Sequence, residues 1–180
     1  MAKAAAIYKM TFPDAPLRDS AEVLLVRWNE MIAWSDAIAD PECVTELHQM
    51  RIAAKRLRYT LELFAPVLGD EAQRVLKSVE EIQEQLGKIH DCDVLFPLIV
   101  KTVGAESEQE ARRSDKRPDS LPPVLAAEGL SQLLADKRRE REERYYRFLQ
   151  FWHSLPPEGL GNDIRKLAES ANAGISGAAG

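Results

Sequence analysis

Apolar residues recur along most of this chain at steps of three and four, the spacing that gathers side chains on one face of an α-helix. Leu17, Ala21, Leu24, Trp28, Met31, Ser35 and Ala39 predict a first helix over residues 17 to 39. Pro41 forces a turn near Asp40. Met50, Ala54, Leu57, Leu61, Phe64 and Leu68 then line a second helix from residue 43 to Leu68, with Gly69 as its C-cap. A third begins at Asp70 or Glu71, whose charges suit a helix N-terminus, and turns Leu76, Val79, Ile82, Leu86, Ile89 and Val94 inward. Pro97 predicts a kink or a short break in it. A fourth long helix fits residues 124 to 155.

Between the third and fourth helices, residues 104 to 123 read GAESEQEARRSDKRPDSLPP, the polar and proline-punctuated composition of a mobile connection. Residues 1 to 16 contain two prolines and predict an irregular segment. Over 156 to 180, NDIRKLAES suggests one or two helical turns before a small-residue tail, ANAGISGAAG, expected to be disordered. No stretch alternates with period two for long enough to make a sheet. The expected fold is all-α: an antiparallel four-helix bundle running up, down, up, down.

Composition fits one domain with a core of its own: 180 residues, 45% of them hydrophobic and 29% charged. The opening MAKAAAIYKM has no long apolar run, and no segment is apolar enough to span a membrane, so the protein is expected in the cytoplasm, without membrane partners. Cys43 and Cys92 form no metal-ligand or disulfide pattern and are expected as small buried hydrophobes near helix ends. A net charge of −5 argues against broad electrostatic adhesion to nucleic acid.

Against that acidic background the positive charge is segregated. His48, Arg51, Lys55 and Arg58 fall within about 80° of arc on the second helix, beside its apolar stripe and with no acidic residue among them. On the fourth helix Lys137, Arg141 and Arg144 share the sector of Leu130, Leu133, Leu134, Phe148, Phe151, Trp152 and Leu155, flanked by Arg138 and Tyr145. Cations beside a core are costly without a counter-charge, so two such rows predict a shared groove that receives an anion. Arginine forks suit phosphate oxygens, and rises of about 4.5 to 6 Å between cations match a polymer with charge at regular intervals, such as polyphosphate. Single-stranded nucleic acid fits less well. Trp28, Phe64, Phe148, Phe151 and Trp152 occupy predicted core faces, which leaves Tyr59 and Tyr146 as the exposed rings.

In the third helix, LGKIHDCDVL presents His90 and Asp93 three apart at the edge of the apolar stripe. Asp93 repels phosphate, so it is expected to orient Arg51, Arg58 or an arginine of the fourth helix, while Gly87 allows another helix close. No nucleophile or paired-carboxylate metal site completes a catalytic set around His90, so no catalytic residue, metal or cofactor is assigned.

The run His48-Gln49-Met50-Arg51-Ile52-Ala53-Ala54-Lys55-Arg56-Leu57-Arg58-Tyr59, then Glu62-Leu63-Phe64 and later Leu86-Gly87-Lys88-Ile89-His90-Asp91-Cys92-Asp93-Val94, resembles the conserved histidine α-helical domain family, CHAD. In that family the histidine and basic helix positions line a positive surface that binds inorganic polyphosphate. The resemblance, taken over residues 17 to 155, implies ligand roles for His48, Arg51, Lys55 and Arg58, with Arg56 further round the wheel. It also implies contributions from the terminal long helix, here Lys137, Arg141 and Arg144.

Many members hold two four-helix halves, each with a basic histidine motif, whereas this chain has one motif and length for one half. A homodimer would restore two halves; a solitary bundle would bind a shorter stretch of polymer. The resulting expectation is a noncatalytic module that targets or tethers the protein to polyphosphate, at polyphosphate granules in the cytoplasm. The alternatives are a metal-dependent phosphohydrolase or phosphotransferase, and a helical adaptor for acidic protein or nucleic-acid ligands. The groove requires both rows to be free of resident carboxylates.

Overall fold

A computed structural model describes residues 16–113, 123–155 and 159–178. It contains five α-helices: α1 (Pro16–Ile32), α2 (Val44–Leu68), α3 (Asp70–Arg113), α4 (Pro123–Ser154) and α5 (Gly159–Ala178), with a 3₁₀ segment, Ser35–Ala39, between α1 and α2. No strand occurs among the described residues. The described residues form a helical bundle of five helices, where a four-helix bundle was expected.

Local chemistry explains the boundaries. Pro16 opens α1, where the missing N–H costs nothing and the fixed φ already suits a helix. The predicted first helix does not reach residue 39. It ends at Ile32, and the tighter 3₁₀ segment delivers Ile38 into the core, its carbonyl accepting from the Tyr145 hydroxyl at 2.7 Å. At Asp40 the side chain accepts from the Glu42 N–H, which turns the chain toward α2. Gly69, at φ 75, ends α2 with its N–H bonded to the Ala65 carbonyl.

Two segments expected to be irregular are helical instead. α3 continues through Pro97 without a break as far as Arg113, so residues 104–113 of the expected mobile connection lie inside it. Glu, Gln, Ala and Arg dominate there, and all four are good helix formers. Residues 114–122, like 1–15, lie outside the described residues.

The C-terminal segment, expected as a short helix and a disordered tail, forms the 20-residue α5. Leu160, Ile164, Leu167, Ala168 and Ala171 bury one stripe of it, mainly against α1. Ala21 meets Ala168 and Ala171 in a small-residue contact that lets the two axes approach. At Gly161 a Cβ would stand 3.0 Å from the Trp28 ring, so this helix sits where only glycine fits without displacement.

The main core joins Leu24, Trp28 and Met31 of α1 to Leu47, Met50, Leu57 and Leu61 of α2, Val79, Ile82, Leu86 and Ile89 of α3, Tyr145 and Phe148 of α4, and Ile164 and Leu167 of α5. α3 is the shared wall: α2 packs along one side of it and α4 along another. Among the residues predicted to point inward, Val94 is 53% exposed and Leu133 is 42% exposed. His48 lies beside His90 and α2 begins only four residues earlier, so α3 runs on beyond the start of α2 and loses that neighbour near residue 94. Out there α3 meets α4, with the Arg138 guanidinium 4.8 Å above the Phe96 ring.

Candidate functional site

α2 and α3 run antiparallel, which brings the first turns of α2 against residues 87–90 of α3. His48 Nδ1 lies 3.2 Å from His90 Nδ1, with ring centroids 4.4 Å apart. Two nitrogens at this separation hold one hydrogen between them, so one ring donates and the other accepts. Burial, then the nearby His48 and Arg51 charges, push the His90 imidazole below its ordinary pKa, against a smaller opposing pull from Asp91 and Asp93.

Arg51, one turn further along α2, crosses above Gly87; a Cβ there would meet Arg51 Nε at 3.8 Å, an ordinary contact. Gly87 is therefore not needed for space. Arg51 Nε is itself buried and has no acceptor. A guanidinium N–H removed from water without a partner is unfavourable, which leaves this group with unused bonding capacity. Next, Lys55 is exposed, with Nζ 5.6 Å from the Tyr59 ring centroid, and the Arg58 guanidinium lies 4.8 Å from the same half-exposed ring. Arg58 Nε is 3.3 Å from a Glu62 carboxylate oxygen but makes no hydrogen bond. Arg56 lies round the helix, 4.0 Å from Glu30. His48, Arg51 and Lys55 have no carboxylate within ion-pair distance among the described residues.

The basic row of α4 is in a different state, and here the expectation of cations free of resident carboxylates fails. Lys137 Nζ is 2.6 Å from Glu140, and Arg144 pairs with the other oxygen of the same carboxylate. Those two cations, Lys137 foremost through its hydrogen bond, hold the Glu140 carboxyl below the usual range. Arg144 also donates to the Lys88 carbonyl at 2.8 Å. Arg141 donates from Nε to Asp93 at 2.5 Å and from Nη2 to the Pro41 carbonyl at 2.7 Å; the two charged side chains are 18% and 11% exposed. Tyr145, read from the sequence as flanking the basic sector, is buried.

The two rows approach α3 from different directions. α2 meets Gly87 and His90, whereas α4 meets the Lys88 carbonyl and Asp93. α2 packs on α1 and α3, and α4 on α3, so among the described residues no tight α2–α4 seam joins the rows.

Sequence reading missed the roles of Glu62 and Glu140. Their spacing was visible: Glu62 follows Arg58 by four, and Glu140 lies three after Lys137 and four before Arg144. Among the described residues, no three His, Cys, Asp or Glu side chains gather to hold a metal ion, and no helix is long and apolar enough to cross a membrane. Cys43 and Cys92 are free thiols, Cys92 buried within α3 and Cys43 half-buried at the start of α2.

A family model described as the CHAD domain matches residues 2–99, a span that takes in α1, α2 and α3 as far as residue 99, and stops before α4. No curated protein and no solved structure matches the chain.

Proposed function

The chain belongs to the CHAD domain family, and from that membership we propose that it binds inorganic polyphosphate, without chemistry, along the basic face of α2. One observation carries the proposal: among the described residues His48, Arg51 and Lys55 share a face with no carboxylate partner, and the buried Arg51 Nε makes no hydrogen bond. Each phosphate oxygen taken by such a donor forms a charge-assisted hydrogen bond of about 1.5–3 kcal/mol. Arg58 and Arg56 extend the face by exchanging Glu62 and Glu30 for ligand oxygens. Lys137, Arg138, Arg141 and Arg144 contribute field at the flank, most of their hydrogen bonds being already committed within the fold.

In this role the protein is a targeting or tethering module at cytoplasmic polyphosphate granules, and a twofold pair of chains would present two such faces. Calorimetric titration with polyphosphate of defined length, repeated at several salt concentrations, tests the proposal. Affinity should fall steeply with salt, with no phosphate released, and Arg51→Glu should weaken binding while Arg139→Glu leaves it nearly unchanged. Equal losses in the two variants would refute the α2 face as the site.

A further inference from the structure

We propose that His48 and His90 form a one-proton pair that takes up a second proton when an oligophosphate occupies the α2 face, so that anion binding is coupled to proton uptake and tightens as pH falls. The inference rests on the polyphosphate reading above and adds its regulation.

The geometry permits one hydrogen between the two Nδ1 atoms. At 3.2 Å, N–H donating to a bare nitrogen is a normal bond, whether the pair as a whole is neutral or carries one positive charge. When both rings are protonated, two N–H groups point at each other and two positive charges face one another across the same gap, so the rings must part. The pair therefore titrates as a unit, the second proton entering well below the first.

The surroundings hold this balance in the absence of ligand. Arg51 of α2 faces the pair and opposes further positive charge. Asp91 and Asp93 of α3 favour it, but the Asp93 carboxylate is engaged by Arg141 of α4. His90 is partly buried, which also resists charge, and its imidazole is displaced in the acidic direction. An anion seated on Arg51 changes the sign of the local field. A negative group within about 4–6 Å favours the charged form, so the second protonation moves to higher pH. The pair then offers two donors to phosphate in place of one internal bond.

Two measurements test the coupling. The first needs no ligand: NMR titration of the histidine rings in the full chain. The pair should show two separated steps, and His48→Gln should collapse them to one, with His90 moving up from its depressed position. If each ring titrates at the same pH with or without its neighbour, the pair is not coupled and the proposal is overturned.

The second is calorimetry with long-chain polyphosphate, whose internal groups do not titrate near neutrality, in buffers of contrasting ionisation enthalpy. The native chain should take up as much as one proton per occupied site, with affinity rising by as much as about tenfold per unit fall in pH. The double variant His48→Gln/His90→Gln should take up none. Binding without proton uptake by the native chain would overturn the linkage alone. Failure of polyphosphate to bind at any pH would overturn the functional reading as well.

Discussion

α2 and α4 carry basic rows of similar composition, both flanking the same wall helix, yet the rows differ in what they hold. On α4 a single carboxylate, Glu140, joins Lys137 to Arg144, and Arg141 is locked between Asp93 and the Pro41 carbonyl. On α2 Arg58 and Arg56 stand near Glu62 and Glu30, while among the described residues His48, Arg51 and Lys55 have no carboxylate within ion-pair distance. Cations beside a core thus have two distinct uses. Where acid and carbonyl acceptors are built into neighbouring turns, they fasten helices together; where those acceptors are missing, bonding capacity is left for something from outside.

The largest test of this contrast is Arg141→Ala. It leaves Asp93 mostly buried without its cation and frees the Pro41 carbonyl, so urea unfolding should show a loss of about 2–4 kcal/mol. Arg51→Ala, measured the same way, should change stability by less than about 1 kcal/mol. Their effects on ligand should be reversed: Arg51→Ala should cost polyphosphate affinity about 10- to 150-fold, or about 1.5–3 kcal/mol, by calorimetry, with Arg141→Ala losing less wherever it remains folded.

Tyr145→Phe removes the hydroxyl that ties α4 to Ile38 and should cost about 1 kcal/mol in the same unfolding assay, with binding unaffected. Acid then separates the rows by pH. Glu140 has a folded-state pKa below its unfolded one, so its contribution is complete above the ordinary carboxylate pKa and is lost as pH falls through the depressed value. His90, also depressed, favours the fold fully above its ordinary pKa and loses that preference as pH falls through its own lower value. Stability followed against pH should therefore decline in two windows, the upper one abolished by His90→Gln and the lower one reduced by Glu140→Gln. The smallest effect belongs to Arg139→Ala: this side chain is 69% exposed and paired with Asp136 one turn away, so stability should move by less than about 0.5 kcal/mol.

What the sequence made legible followed from strong local signals. α2 begins and ends within a residue of its expected limits because Pro41 and Gly69 punctuate it, and its apolar stripe is buried as the periodicity requires. α5 was underestimated because its buried stripe ends in alanines, whose packing value comes from letting α1 close in, a property of the partner helix that composition does not display. Val94 and Leu133 kept the right period but lacked a wall to face, since helix lengths and not periodicity decide where a bundle ends. The basic rows were visible as rows. Asp93 was expected to hold one of several arginines, the fourth helix's among them, and the contact to Arg141 spans 48 positions; the pairing by Glu140 and the acceptors at the Pro41 and Lys88 carbonyls were not read, since a carbonyl carries no mark in a sequence.

His90 and Asp93 stand three residues apart on one unbroken helix, a rise of about 4.5 Å. A helix turns and slides as a rigid rod over so short a distance, so parting the two imidazoles by shifting α3 also drags the anchor of Arg141. α3 would then act as a lever between its neighbours, and a substitution on either flank should be felt on the other as non-additive energies in a double-mutant cycle.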